Sequence, residues 1–106
     1  MREFSPTELK EYLEQTTQTP LLLDVREPWE FAHCHIEGSI LRPMGQIRSC
    51  LAELDPQQEI VVICHHGIRS RQVAYYLLQE GFERVINLAG GVESWARQID
   101  ATMKRY

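Results

Sequence analysis

A chain of 106 residues that is 43% hydrophobic and 25% charged is long enough for one packed core and too apolar to stay disordered. Its formal charge of -4 supplies no basic surface field, which argues against nucleic acid and against an anionic membrane surface, and no stretch approaches the roughly 18 apolar residues of a membrane span. The first residues lack the pattern of a secretory leader and the cysteines number three, so a single domain over 1–106, free thiols and a cytoplasmic setting are the expectations.

Ser5, Pro6 and Glu8 form a capping-box pattern with proline at the first helical position, so a helix should start there. Leu9, Tyr12 and Leu13 give it one apolar stripe, and Thr16 to Pro20 break it. Leu21 to Val25 then reads as a buried strand. Glu27 to His35 should hold one or two helical turns, and Ile40-Leu41 is a short strand ended by Pro43. Met44, Ile47, Cys50, Leu51 and Leu54 recur at helical spacing until Asp55-Pro56. Ile60 to Cys64 is the most strand-like segment and should be central. A helix from about Arg69 to Glu80, closed by Gly81, precedes a strand over Val85 to Leu88. After Gly90-Gly91, a last helix places Val92, Trp95, Ala96 and Ile99 on one face. This alternation implies an α/β domain with a mainly parallel sheet and helices on both faces, because parallel strands need crossovers.

Ligands of open α/β sheets bind beyond the carboxyl ends of the strands, where Cys64 lies. The chain leaves that strand through Cys64-His65-His66-Gly67-Ile68-Arg69 and enters a helix, so amides at the helix start can converge on the sulfur. That position, with Arg69 and Arg71 nearby, favours a thiolate and attracts an anionic substrate. A buried cysteine is often only a small hydrophobe. Here two histidines and a glycine do not continue a core, and Gly67 permits the positive φ of a tight anion-binding loop. Asp24 and Arg26 follow the first buried strand, and pairing would offset the cost of burying them. Cys50, on an apolar stripe, reads as core, as do Trp29 and Trp95, and packing is the plainer reading of Cys34.

The segments Leu23 to Phe31, His35 to Ser39, Cys64 to Ser70, Gly81-Phe82 and Gly90 to Trp95 resemble, in order and spacing, successive motifs of the rhodanese family. The resemblance covers nearly the whole chain. It implies a five-stranded parallel sheet flanked by helices, a persulfide-forming Cys64 in a six-residue loop, and Asp24, Arg26 and His35 near or supporting the site. Cys34 and Glu37 depart from the family pattern, which usually has glycine and proline there. The implied activity is sulfur transfer without a cofactor. A small anionic donor such as thiosulfate charges Cys64, and a thiol, cyanide or a sulfur-carrier protein discharges it. His65, His66, Gly67, Ile68 and Arg69 are the expected donor-binding residues, the histidines through side chains or through backbone amides, with the Arg69 guanidinium at the loop mouth facing the donor's sulfonate.

Two other classes compete. A noncatalytic interaction module would share the fold but has no use for Cys64. A phosphatase or arsenate reductase of the same superfamily has five residues between cysteine and arginine, whereas four separate Cys64 from Arg69, which suits a smaller cradle. Zinc binding by His33-Cys34-His35 with Cys64-His65-His66 is disfavoured, because neighbouring residues on a strand point to opposite sides and no paired ligand spacing is present. No metal is expected.

Overall fold

A computed structural model describes residues 1–106. Five strands, β1 (Arg2–Phe4), β2 (Leu21–Asp24), β3 (Ile40–Leu41), β4 (Ile60–Ile63) and β5 (Val85–Leu88), form one sheet in the order β1-β5-β4-β2-β3, and every pairing is parallel. The helices are α1 (Pro6–Gln15), α2 (Pro28–His33), α3 (Ile47–Cys50), α4 (Ile68–Gln79) and α5 (Gly91–Gln98). None is long and apolar enough to cross a membrane.

The strand alternation sorts the core into two layers. Leu23, Ile60, Val62, Cys64 and Val85 face Ile47, Val73, Ala74 and Leu77 of α3 and α4. Leu22, Val61, Ile63, Ile86 and Leu88 face Leu9 of α1 and Val92 and Trp95 of α5. β4 is fully buried, as a central parallel strand covered on both faces must be. Because period two places Asn87 on the side of Val85, one polar residue points into the α4 layer beside Cys64.

The capping box of α1 forms as its sequence predicts, with Ser5 Oγ accepting from the Glu8 amide at 3.1 Å and Glu8 Oε1 accepting from the Ser5 amide at 2.8 Å. Two expectations change. The stretch from Met44 to Leu54 is not one helix but α3 between two 3₁₀ turns, Met44–Gln46 and Leu51–Glu53. Ser49 Oγ donates to the Gln46 carbonyl at 2.9 Å, an acceptor that a regular helix would use otherwise. β1 was also unforeseen. Its three residues carry one apolar side chain, and it joins the sheet at an edge through β5 alone.

Candidate active site

Cys64 follows β4 directly and is 1% exposed. Its Sγ accepts from the Gly67 N–H at 3.0 Å and lies 3.3 Å from Ser70 Oγ. The tight return of the loop depends on Gly67, whose φ of +90° an L side chain rarely adopts and which begins α4. From the far side, the Val92 and Glu93 amides of α5 donate to the Cys64 and His65 carbonyls at 2.8 and 3.0 Å. Gly91 makes this approach possible, since a Cβ there would sit 2.3 Å from the Cys64 carbonyl oxygen. The Gly90-Gly91 turn therefore clamps the loop from behind.

On the β2 side the site is charged. Arg26, fully buried, binds the Asp24 carboxylate through Nε at 3.0 and 3.1 Å and through Nη2 at 2.8 Å. It also donates to the Cys34 carbonyl at 2.7 Å and to the Tyr106 hydroxyl at 2.8 Å. Asp24 and Arg26 are thus a buried pair rather than loose strand-end charges. Tyr106 in turn donates to Glu30 Oε2 at 2.8 Å, and the Glu30 carboxylate accepts from Arg69 Nη1 and Nη2 at 2.8 and 2.9 Å. The Arg69 contacts, ahead of bonds from the Glu27 amide and Tyr106, pull the Glu30 carboxyl down to about 2 despite burial. Burial, reinforced by the Glu30 carboxylate, pushes the Tyr106 hydroxyl up to about 12 although Arg26 favours its ionisation. The two-point contact foreseen between Arg69 and a donor anion is made here with Glu30, which fixes the guanidinium beside the loop with its side chain 36% exposed.

His65 lies between two rings, with centroids 3.9 Å from Tyr106 and 4.0 Å from His66. Burial and then His66 push its pKa down, and its Nε2, without a hydrogen-bond partner, is 4.0 Å from Glu93 Oε1. His66 is exposed and, with Glu93, Arg105 and Tyr106, lines an open depression of about 400 Å³ beside the loop. Ile68 projects outward, 67% exposed. His35 is not brought to the loop: its Nδ1 bonds the Phe31 carbonyl at 2.8 Å and its ring stacks on Phe31. Arg71 is likewise drawn away, to Glu3 Oε2 at 2.8 Å, which leaves Arg69 as the arginine at the loop. Cys34 is partly exposed, with Sγ 4.0 Å from Arg26 Nη1, and Cys50 is buried in the α3 layer, where burial pushes its thiol up.

Four residues of the site were not singled out from sequence: Glu30, Ser70, Asn87 and Tyr106. A signal existed for Asn87, since one amide inside Val85-Ile86-Asn87-Leu88 must find a partner if the strand is buried. Its Nδ2 donates to Glu3 Oε2 at 2.8 Å and to the Gly67 carbonyl at 3.2 Å, and its Oδ1 accepts from Ser70 at 2.5 Å.

A family model described as the Rhodanese-like domain matches residues 5–98. A protein of Allochromatium vinosum named sulfurtransferase is 40% identical over 81 residues, 76% of this chain and 76% of that protein. A protein of Glaesserella parasuis named thiosulfate sulfurtransferase GlpE is 33% identical over 95 residues, 90% of this chain and 86% of its own. A Bacillus subtilis protein named putative sulfur carrier protein YrkF is 39% identical over 79 residues, 74% of this chain and 43% of that protein. Among solved structures, a rhodanese-like domain protein of Staphylococcus aureus superposes with a TM-score of 0.85 at 27% identity, covering 100% of this chain and 99% of that one. A rhodanese-related protein of Thermoplasma volcanium gives 0.83 at 30% identity, covering 93% of this chain and 94% of its own.

Proposed function

As the chain belongs to the rhodanese-like domain family, we propose that it is a cytoplasmic sulfurtransferase, one catalytic domain over 1–106, that carries sulfane sulfur on Cys64. The observation that carries this reading is the Cys64 sulfur at the head of β4, receiving the Gly67 amide at 3.0 Å in a loop that turns directly into α4. A sulfur held by an N–H at a helix start is stabilised as an anion, and the same helix start meets the charge that develops on an incoming donor. The relatives named sulfurtransferases support the reaction class, and three free thiols suit a reducing compartment.

Thiosulfate is the donor we infer. The Cys64 thiolate attacks the outer sulfur, a new S–S bond forms, and the bond to the sulfonate sulfur breaks with its electron pair, so sulfite leaves. A thiolate or cyanide then attacks the outer sulfur of the persulfide, and Cys64 departs as a thiolate ready for another cycle. The backbone from His65 through His66 and Gly67 to Ile68 forms the cradle, Arg69 gives it a cationic edge, and the Asp24–Arg26 pair braces the β2 side. A protein acceptor is a second reading, supported by the relative named a putative sulfur carrier and by Trp29 on α2 and Ile68 on α4, which stand 64% and 67% exposed.

Mass spectrometry tests the assignment. Incubation with thiosulfate should add about 32 mass units, one sulfur, to Cys64, with ping-pong kinetics and no turnover in Cys64→Ser. A stoichiometric persulfide on Cys34 or Cys50 instead would overturn it.

A further inference from the structure

The buried polar chain behind the nucleophile runs from Cys64 through Ser70 and Asn87 to Glu3 at the sheet edge, and with Cys64 as a neutral thiol it admits only one distribution of hydrogens. Glu3 Oε2 and the Gly67 carbonyl can only accept, so the Asn87 amide nitrogen must face them, and its Oδ1 must face Ser70. The parallel register sets Glu3 opposite Asn87, which is why the carboxylate reaches the amide. Bonds from Asn87 and Arg71 hold the Glu3 carboxyl below its usual range, keeping it an acceptor. Ser70 has one hydrogen, and at 2.5 Å from Oδ1 that hydrogen is given to Asn87. Towards Cys64, 3.3 Å away, Ser70 then has only a lone pair to offer, which matches a neutral S–H but not a sulfur anion.

We propose that the Ser70 hydroxyl is a two-position rotor for which Asn87 and the Cys64 sulfur compete, so that Asn87 is a positioning residue governing how strongly Ser70 stabilises the thiolate. This rests on Cys64 being the nucleophile and concerns what sets its reactivity. When Sγ is anionic, Ser70 turns its hydrogen to the sulfur and leaves Asn87 Oδ1 buried without a donor, because Ser70 and Asn87 are both fully buried. When Cys64 carries the outer sulfur, the inner atom is neutral and the hydroxyl returns to Asn87. Ser70 therefore assists the departure of the thiolate in the discharge half-reaction, against a restoring pull from Asn87. No covalent bond changes in the rotor itself.

The readout is the thiolate ultraviolet absorbance as a function of pH, taken as the difference from Cys64→Ser so that Cys34 and Cys50 cancel. Titratable or charged groups on the elements around the loop include Arg69 and Arg71 on α4, His65 and His66 on the loop, Asp24 and Arg26 at β2, Glu30 on α2, Glu93 on α5, Glu3 on β1 and Tyr106, and all are retained in the variants. Ser70→Ala should move the appearance of the thiolate up by about one pH unit and slow persulfide discharge to cyanide roughly tenfold, the size expected for one hydrogen bond to a charged sulfur. Asn87→Ala, by freeing the hydroxyl, should move it down by up to about one unit, and this shift should vanish in the Ser70→Ala background. If Asn87→Ala does not fold, Asn87→Leu replaces it: the side chain keeps its volume but loses the Oδ1 acceptor, and the downward shift should again vanish when Ser70 is absent. An upward or absent shift in Asn87→Ala, or a shift of equal size with and without Ser70, refutes the rotor. Loss of sulfur transfer is scored separately, so a Cys64→Ser protein that still turns over thiosulfate refutes the assignment of the nucleophile while the titrations still judge the rotor.

Discussion

On its β2 side Cys64 is backed by ions, Asp24, Arg26, Glu30 and Arg69 joined through Tyr106, whereas on its β5 side it is backed by a hydroxyl and an amide, Ser70 and Asn87, with charge appearing only at Glu3 on the edge strand. The ionic side holds shape. Its members satisfy one another, and removing one leaves a buried charge, so the cost of change falls mainly on folding. The neutral side touches the sulfur directly, and its hydroxyl can turn without leaving its place, so the cost of change there falls on reactivity.

Arg26→Ala should give the largest effect, a loss of about 3 to 5 kcal/mol in urea unfolding, because Asp24 would remain fully buried without its partner. Combining Asp24→Asn with Arg26→Met should restore part of it. If Arg26→Ala unfolds at the parental midpoint, the ionic side is not structural and the contrast fails.

Glu30 is next. Its carboxyl titrates near 2 in the folded protein against an ordinary 4.5, so its contribution is present above about 4.5 and disappears as pH falls through 2. For a side chain only 5% exposed, that shift amounts to roughly 3 kcal/mol. Stability measured from pH 6 down to pH 2 should fall less steeply in Glu30→Gln than in the parent, and parallel curves would remove Glu30 from the acid response.

Arg69→Ala separates anchoring from substrate binding. We expect kcat/KM for thiosulfate to drop roughly tenfold to hundredfold, the equivalent of one hydrogen bond to a charged partner, with Arg69→Lys recovering only part because an ammonium lacks the planar fork. An unchanged specificity constant would make Arg69 solely the tether of Glu30. The smallest effect belongs to Tyr106→Phe, about 1 to 2 kcal/mol in stability, since the ring stack on His65 survives while the hydroxyl bonds to Arg26 and Glu30 are lost. A stability change above that of Glu30→Gln would show that the hydroxyl, not the Arg69–Glu30 pair, holds the ionic side together.

How legible these sides were in the sequence follows from the range of their contacts. The α1 cap, the run of β4 and the strand-loop-helix passage at Cys64 depend on neighbours a few residues apart, and all could be read directly. Asp24 and Arg26 were legible as a pair because they are two residues apart on one strand end. Glu30 and Tyr106 meet across most of the chain, and nothing in Trp29-Glu30-Phe31 distinguishes a carboxylate that will anchor Arg69 from one that will face water. Arg71 shows the same limit. Its proximity to the loop in sequence was offset by a helix turn that aims it at Glu3, on a strand too short and polar to be anticipated. Asn87 was the one distant participant that left a trace, as the polar member of a buried strand.

The glycine at position 91 has a consequence for the order in which this protein becomes competent during synthesis. The carbonyls that shape the thiol loop belong to Cys64 and His65, but the amides that hold them belong to Val92 and Glu93. A nascent chain that has left the ribosome only as far as α4 already carries the thiol, yet its loop has no backing until the Gly90-Gly91 turn arrives and α5 docks. The two carbonyls of the thiol loop therefore reach their backbone partners only once residues 92 and 93 are in place.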